Sequence, residues 1–200
     1  MPKIKICGLT SPDDITAVNT HKPDYIGFVF AKSRRQITPT QAHALRTALH
    51  PSITPVGVFV NAPPELILSI IYSGTIEIIQ LHGQEPESYI QHLRQSTKCP
   101  IIKAISVQNP GDVQKWENTS ADYLLLDHMG GGTGATFNWD LIGKTQKPYF
   151  LAGGLTPQNI ANAITKTTPY ALDVSSGVEQ GGKKCPTKIQ NFIRVIRDEN

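Results

Sequence analysis

The chain has little cysteine, no long apolar run and no strong charge of either sign, and each shortage weighs against a class of function. Its three cysteines, Cys7, Cys99 and Cys185, are odd in number and far apart, which suits reduced thiols and leaves no CxxC spacing for a metal. A disulfide framework or a structural zinc is therefore not expected. No apolar run approaches the roughly 18 residues that span a bilayer, and the N-terminus enters a Lys/Ile strand without a signal-peptide core, so the expected location is cytoplasmic. Net charge is only +3, with no Lys/Arg stripe interleaved with aromatics of the kind that tracks a nucleic-acid backbone. Neither a membrane nor a nucleic acid is an expected partner. No linker, low-complexity tract or repeat divides the sequence. Its 200 residues suffice for one substantial core and are short for two, so one domain over residues 1–200 is expected.

What is present is a regular alternation. Apolar, strand-sized runs recur at Lys3 to Cys7, Asp24 to Phe30, Pro55 to Val60, Ile76 to Leu81, Pro100 to Ile105, Asp122 to Asp127, Pro148 to Ala152 and Tyr170 to Val174. Between them lie helix-like stretches, several opening with a capping residue followed by proline: Ser11-Pro12, Thr38-Pro39 and Thr156-Pro157. Ser11 with Asp14, and Thr38 with Gln41, also fit the capping-box spacing. Repeated β-then-α units imply a parallel sheet, and eight of them in so short a chain favour a closed (β/α)8 TIM barrel of the α/β class over an open sheet.

The last two runs break into glycine-bearing turns, Gly153-Gly154 and Ser175-Ser176-Gly177. The C-terminal ends of parallel strands face the ligand, and glycine there lets backbone N–H groups approach an anion closely. A barrel often places a phosphate site in the loops after strands seven and eight, so a phosphorylated small molecule is the expected ligand. The segment from Gly177 to Lys183 matches GxxxxGK of a P-loop, but Lys184 stands where Ser or Thr would hold magnesium, so nucleotide hydrolysis is not expected.

The other chemistry-bearing residues also fall at strand ends. Period two puts Cys7 on the face of Lys3 and Lys5, opposite Ile4 and Ile6. A lone strand cysteine is ordinarily an inert small hydrophobe, but Cys7 closes the first strand before Gly8, where a thiolate at the barrel mouth could act as a base. Asp127 closes the apolar run Tyr123-Leu124-Leu125-Leu126 ahead of Gly130-Gly131-Gly132-Thr133-Gly134. It reads either as a loop cap or, with burial favouring its protonated form, as a proton donor. Asp173 is placed similarly beside the second glycine turn, where a structural hydrogen bond competes with substrate binding. Arg34 or Arg35 could grip a substrate carboxylate bidentately, or be solvated surface charge. His82 is a candidate substrate contact, and the other histidines show no ligand spacing, so no metal is expected. Lys103, inside the fifth strand, leaves a Schiff-base reading open in principle.

Taken together the chain resembles the phosphoribosylanthranilate isomerase family of tryptophan biosynthesis, through Lys5-Ile6-Cys7-Gly8-Leu9-Thr10, Gly27-Phe28-Val29-Phe30, Gln80-Leu81-His82-Gly83, Gly131-Gly132-Thr133-Gly134, Leu151-Ala152-Gly153-Gly154-Leu155 and Asp173-Val174-Ser175-Ser176-Gly177-Val178-Glu179. The match spans essentially the whole sequence. It implies an Amadori rearrangement of N-(5-phosphoribosyl)anthranilate from aminoaldose to aminoketose, without a cofactor. The expected assembly is a monomer or homodimer. The resemblance makes Asp127 the general acid, Cys7 the general base and Arg35 the contact to the anthranilate carboxylate. It gives Gly153, Gly154, Ser176 and Gly177 to the phosphate, and His82 and Asp173 are expected as further substrate contacts from their own places at strand ends.

Two departures stand out. Only His128, Met129 and Gly130 separate Asp127 from the Gly131-Gly132-Thr133-Gly134 turn, fewer than the family usually has, which bears on lid contacts. Cys185-Pro186 replaces the family's usual aspartate at the start of the last helix, a weaker N-cap that costs about 1 kcal/mol of stability. The alternatives are the related phosphosugar isomerase of histidine biosynthesis and a phosphate-binding barrel without catalysis. The first uses carboxylates at the ends of strands one and five, where this chain has Cys7 and Ser106.

Overall fold

The computed structural model describes residues 1–128 and 136–198. Eight parallel strands close on themselves in chain order: β1 (Lys3–Cys7), β2 (Tyr25–Val29), β3 (Thr54–Phe59), β4 (Ile78–Leu81), β5 (Ile101–Ser106), β6 (Tyr123–Asp127), β7 (Tyr149–Leu151) and β8 (Ala171–Val174). Closure is made by β1, which pairs with β2 at Cys7↔Gly27 and with β8 at Lys5↔Asp173. The register Ser106↔Asp127 brings the ends of β5 and β6 level at the mouth.

The helices are α1 (Pro12–His21), α2 (Pro39–Thr47), α3 (Pro64–Tyr72), α4 (Glu87–Ser96), α5 (Ile160–Thr167) and α6 (Pro186–Asp198). Both expected capping boxes form. Ser11 and Asp14 exchange side-chain and backbone bonds at the start of α1, and Thr38 and Gln41 do so at α2. The two strand-to-helix units after β5 and β6 depart from the alternation, since single-turn 3-10 segments, Gln114–Trp116 and Trp139–Ile142, stand where full helices were expected. Thr156-Pro157 likewise opens a turn. The Asn159 side chain bonds Thr156 N and Gly154 O, and α5 begins only at Ile160. At the last helix, α6 does start at Pro186 directly after Cys185.

Period two along the strands builds two cores. Outward residues such as Ile4, Ile6, Phe28, Ile79 and Leu126 pack under the helices in the larger cluster. Each fully buried aliphatic side chain there contributes roughly 1.5–3 kcal/mol. Inward residues Val56, Ile78, Ile102, Leu125 and Phe150 fill the barrel, with Tyr25, Tyr123 and Tyr170 packed against them near the strand starts. The Tyr25 and Tyr170 hydroxyls share a hydrogen bond of 2.9 Å there. With that end filled, the opening lies at the strands' C-terminal ends. A two-stranded hairpin, β9 (Glu179–Gln180) and β10 (Lys183–Lys184), follows β8. Among the described residues no helix is long and apolar enough to cross a membrane.

Candidate active site

The mouth of the barrel holds a cavity of about 230 Å³, and of the residues singled out from the sequence all but Arg34 and Lys103 border it. Cys7 and Asp127 contribute from the ends of β1 and β6, His82 from just past β4, and Arg35 from the loop after β2. Gly153 and Gly154 border it from the turn after β7, with Asp173, Ser176 and Gly177 from β8 and its loop. Val29, Val58, Ala152 and Leu155 complete an apolar wall that the sequence alone did not single out. Of the two adjacent arginines, Arg35 lines the cavity and Arg34 does not. The Gly131-Gly132-Thr133-Gly134 turn lies outside the described residues.

Cys7 is buried, with Lys5 beneath it inside the barrel. Lys5 is fully buried, and its Nζ donates to Asp173 Oδ1 at 3.0 Å. The polar face of β1 is therefore an ion-paired floor under the thiol. Burial pushes the Cys7 thiol up from its ordinary range, while the Lys5 and Lys184 ammonium groups pull in the opposite direction. For Lys5 burial works against the charge, but Asp173 and Cys7 outweigh it, and its pKa stands above the ordinary lysine value. Below the usual thiol range the pair thus rests as neutral thiol and charged ammonium.

Across the mouth, Asp127 is buried at the end of β6. Its Oδ1 accepts from the His128 backbone N–H at 2.7 Å and its Oδ2 lies 3.7 Å from His82 Nε2. His82 Nδ1 in turn meets the Gln80 side-chain amide at 2.8 Å, so Gln80, quoted only as part of a motif, fixes the imidazole beside the carboxylate. Asp173 borders the cavity and is paired with Lys5.

The two glycine turns come into direct contact. Gly153 and Gly154 have φ of +83° and +60°. A Cβ on Gly177 would stand 2.2 Å from the Leu155 carbonyl oxygen, so only glycine lets the loop after β8 lie against the loop after β7. Two backbone loops drawn this close at the ends of neighbouring strands suit an anion.

Lys103 faces away from the barrel interior. Its Nζ donates to Glu85 Oε2 at 2.7 Å and Gly83 O at 2.8 Å, and it lies over the Trp116 ring. Sequence reasoning assigned no part to Lys5, Glu179 or Lys184. Period two did put Lys5 on the Cys7 face, and the pairing of Glu179 with Lys184 depends on a hairpin whose one sequence signal is Gly181-Gly182, with both residues at positive φ.

The model of the N-(5'phosphoribosyl)anthranilate (PRA) isomerase family matches residues 4–195. The chain belongs to this family. It is 44% identical over 201 residues to N-(5'-phosphoribosyl)anthranilate isomerase of Endomicrobium trichonymphae, covering 98% of this chain and 99% of that one. Among solved structures, phosphoribosyl anthranilate isomerase from Thermus thermophilus superposes with a TM-score of 0.90 at 32% identity, over 99% of this chain and 100% of that one. A further phosphoribosyl anthranilate isomerase, solved with reduced 1-(o-carboxyphenylamino)-1-deoxyribulose 5-phosphate, matches with a TM-score of 0.86 at 35% identity, over 99% of this chain and 100% of that one. Membership in the phosphoribosylanthranilate isomerase family accounts for the eight-stranded barrel.

Proposed function

We propose that this chain isomerises N-(5'-phosphoribosyl)anthranilate to the 1-(2-carboxyphenylamino)-1-deoxyribulose 5-phosphate of tryptophan biosynthesis, with Asp127 as acid and Cys7 as base. The observation that carries the reading is that one cavity is lined by a thiol and a carboxylate from different strand ends together with an arginine and two abutting glycine turns. The relative solved with a reduced deoxyribulose phosphate holds a ligand that bears a carboxyphenylamino group and a 5-phosphate, the two anionic ends such a cavity would grip.

Asp127 delivers its proton to the ribose ring oxygen as the C1–O bond breaks, leaving an iminium ion at C1. Cys7, as thiolate, then removes the C2 proton, and the electron pair of that C–H bond neutralises the iminium to give an enolamine. Ketonisation of the enolamine yields the aminoketose. The resting thiol must first lose its proton, and the Lys5 and Lys184 charges lower the cost of the thiolate. Arg35 would hold the anthranilate carboxylate and the turns at Gly153-Gly154 and Ser176-Gly177 the phosphate, so that the reacting carbons sit between acid and base. His82 and Asp173 would complete the sugar contacts. The histidine-pathway reading is disfavoured because the ends of β1 and β5 carry Cys7 and Ser106 rather than carboxylates.

The test follows anthranilate-type fluorescence with freshly generated substrate. Wild type is expected to consume it, whereas Cys7→Ala and Asp127→Asn should each lose at least about a hundredfold in kcat, the usual weight of one positioned acid or base. Full activity in either variant removes that residue from the mechanism, and inactive, folded wild type removes the reaction.

A further inference from the structure

Glu179 follows the Ser175-Ser176-Gly177 turn in the β9–β10 hairpin, and its carboxylate is 6% exposed. Three cations close on it. Arg35 donates from Nε to Oε1 at 2.7 Å and from Nη2 to Oε2 at 3.1 Å, Arg34 Nη2 reaches Oε2 at 2.7 Å, and Lys184 Nζ reaches Oε1 at 2.9 Å. The Arg35 side chain runs across Gly8, where a Cβ would meet its Cδ at 2.3 Å, so glycine on one side and Glu179 on the other fix the guanidinium. Lys184 is 1% exposed and also donates to Ser175 O at 3.1 Å and Ser175 Oγ at 3.2 Å. Ser175 Oγ passes the chain on to Cys7 O at 2.9 Å. One buried carboxylate is thereby tied directly to the arginine that borders the cavity and, through Lys184, to the root of the glycine turn, although neither Glu179 nor Lys184 borders the cavity.

A buried ion cluster is weak evidence for stability, because well-packed apolar side chains often do as well. What it supplies is geometry. A guanidinium with Nε and one Nη occupied by Glu179 has a fixed plane and presents its remaining edge, so less freedom is lost when a second carboxylate binds. We propose that Glu179 is a positioning residue that holds both anion-recognising ends of the cavity, the Arg35 guanidinium and the Ser175-Ser176-Gly177 turn, in mutual register. The inference rests on the assignment of Arg35 to the carboxylate and of the turn to the phosphate.

Charge alone predicts the opposite sign, which makes the idea testable. Without the Glu179 charge, three cations are left less neutralised, and simple attraction would tighten both anions. Positioning predicts that both weaken. Anthranilate and inorganic phosphate serve as separate probes, each titrated by competition during turnover and by equilibrium dialysis, in wild type, Glu179→Gln and Lys184→Met. Glu179→Gln should weaken both probes and raise the substrate KM by about tenfold, with a much smaller change in kcat, as displaced contact groups do. Lys184→Met should weaken phosphate alone. Glu179→Gln binding that is unchanged, tighter or weakened for one probe only overturns the inference, as does unchanged phosphate binding in Lys184→Met. Should Glu179→Gln lose its far-UV circular dichroism, Glu179→Asp decides, because its shorter side chain keeps the charge and loses the register, so that weakened binding of both probes supports positioning and unchanged binding overturns it. Wild type that binds neither probe overturns the site assignment itself, whereas active wild type with unaffected variants overturns only the role of Glu179.

Discussion

Lys103 and Glu85 form a pair whose side chains are 2% and 1% exposed, and that burial assigns the lysine a role. A Schiff-base lysine must present a free amine to a carbonyl carbon, but this ammonium is held by a carboxylate and a backbone carbonyl on the outer side of the barrel. Glu85 is held equally firmly, accepting from Asn61 N at 2.7 Å and from Gly83 N at 2.9 Å. Removing one member leaves the other buried and uncompensated. Lys103→Met is therefore expected to lower the unfolding free energy by about 3–5 kcal/mol in urea titrations, while the double variant with Glu85→Gln recovers part of the loss. Turnover per folded molecule should persist, and borohydride should trap no adduct. A stable Lys103→Met protein with no activity would overturn this account. Lys5 and Lys184 are buried in the same manner against Asp173 and Glu179, yet both stand close enough to Cys7 to act on its thiol.

At the scale of elements, the loops after β7 and β8 act as one unit because Gly177 lies against the Leu155 carbonyl. In Gly177→Ala the added methyl must push the two loops apart. Inorganic phosphate binding should weaken and the substrate KM rise by about tenfold, since displacements near 1 Å carry effects of this size or larger, with far-UV circular dichroism unchanged. Unaltered phosphate binding would mean that the anion sits elsewhere. These turns were legible in the sequence because glycines directly after apolar runs record a backbone requirement. The eight strands were equally legible, to within a residue or two at most ends, and Ser11-Pro12 and Thr38-Pro39 marked helix starts through their capping chemistry. Thr156-Pro157 carries the same local signal and yields a turn, because Asn159 takes the Thr156 N–H and the Gly154 carbonyl and delays the helix. Individual residues at strand ends could be placed at the mouth by parity alone. The Arg35–Glu179–Lys184 cluster could not, since it joins residues 144 positions apart in sequence through the closure of the barrel.

Over the whole molecule, buried carboxylates tie loops to the barrel, and this sets how the fold meets acid. Burial alone would raise the Glu85 and Glu179 carboxyls, but Lys103 with the Asn61 N–H in the first case, and Arg35 with Lys184 in the second, hold both below the ordinary glutamate value. Glu87 is also lowered, with burial opposed by Ser120 and Thr119, which fasten α4 to the segment before β6. Each group binds its proton more weakly folded than unfolded, so each adds stability that is fully present above the unfolded glutamate value of about 4.3 and fades as pH falls through the lower folded value. Protonation of Glu85 or Glu179 leaves Lys103 or Lys184 buried with its charge uncompensated, and this is the physical form the loss takes. Urea midpoints measured from pH 7 down to pH 3 should hold nearly level at first and then drop below about pH 4.3. Glu85→Gln should begin from a lower midpoint and show a shallower drop, because one of the titrating groups is gone. Parallel acid limbs in wild type and variant would show that Glu85 titrates alike in both states, and that its ion pair contributes nothing to acid stability.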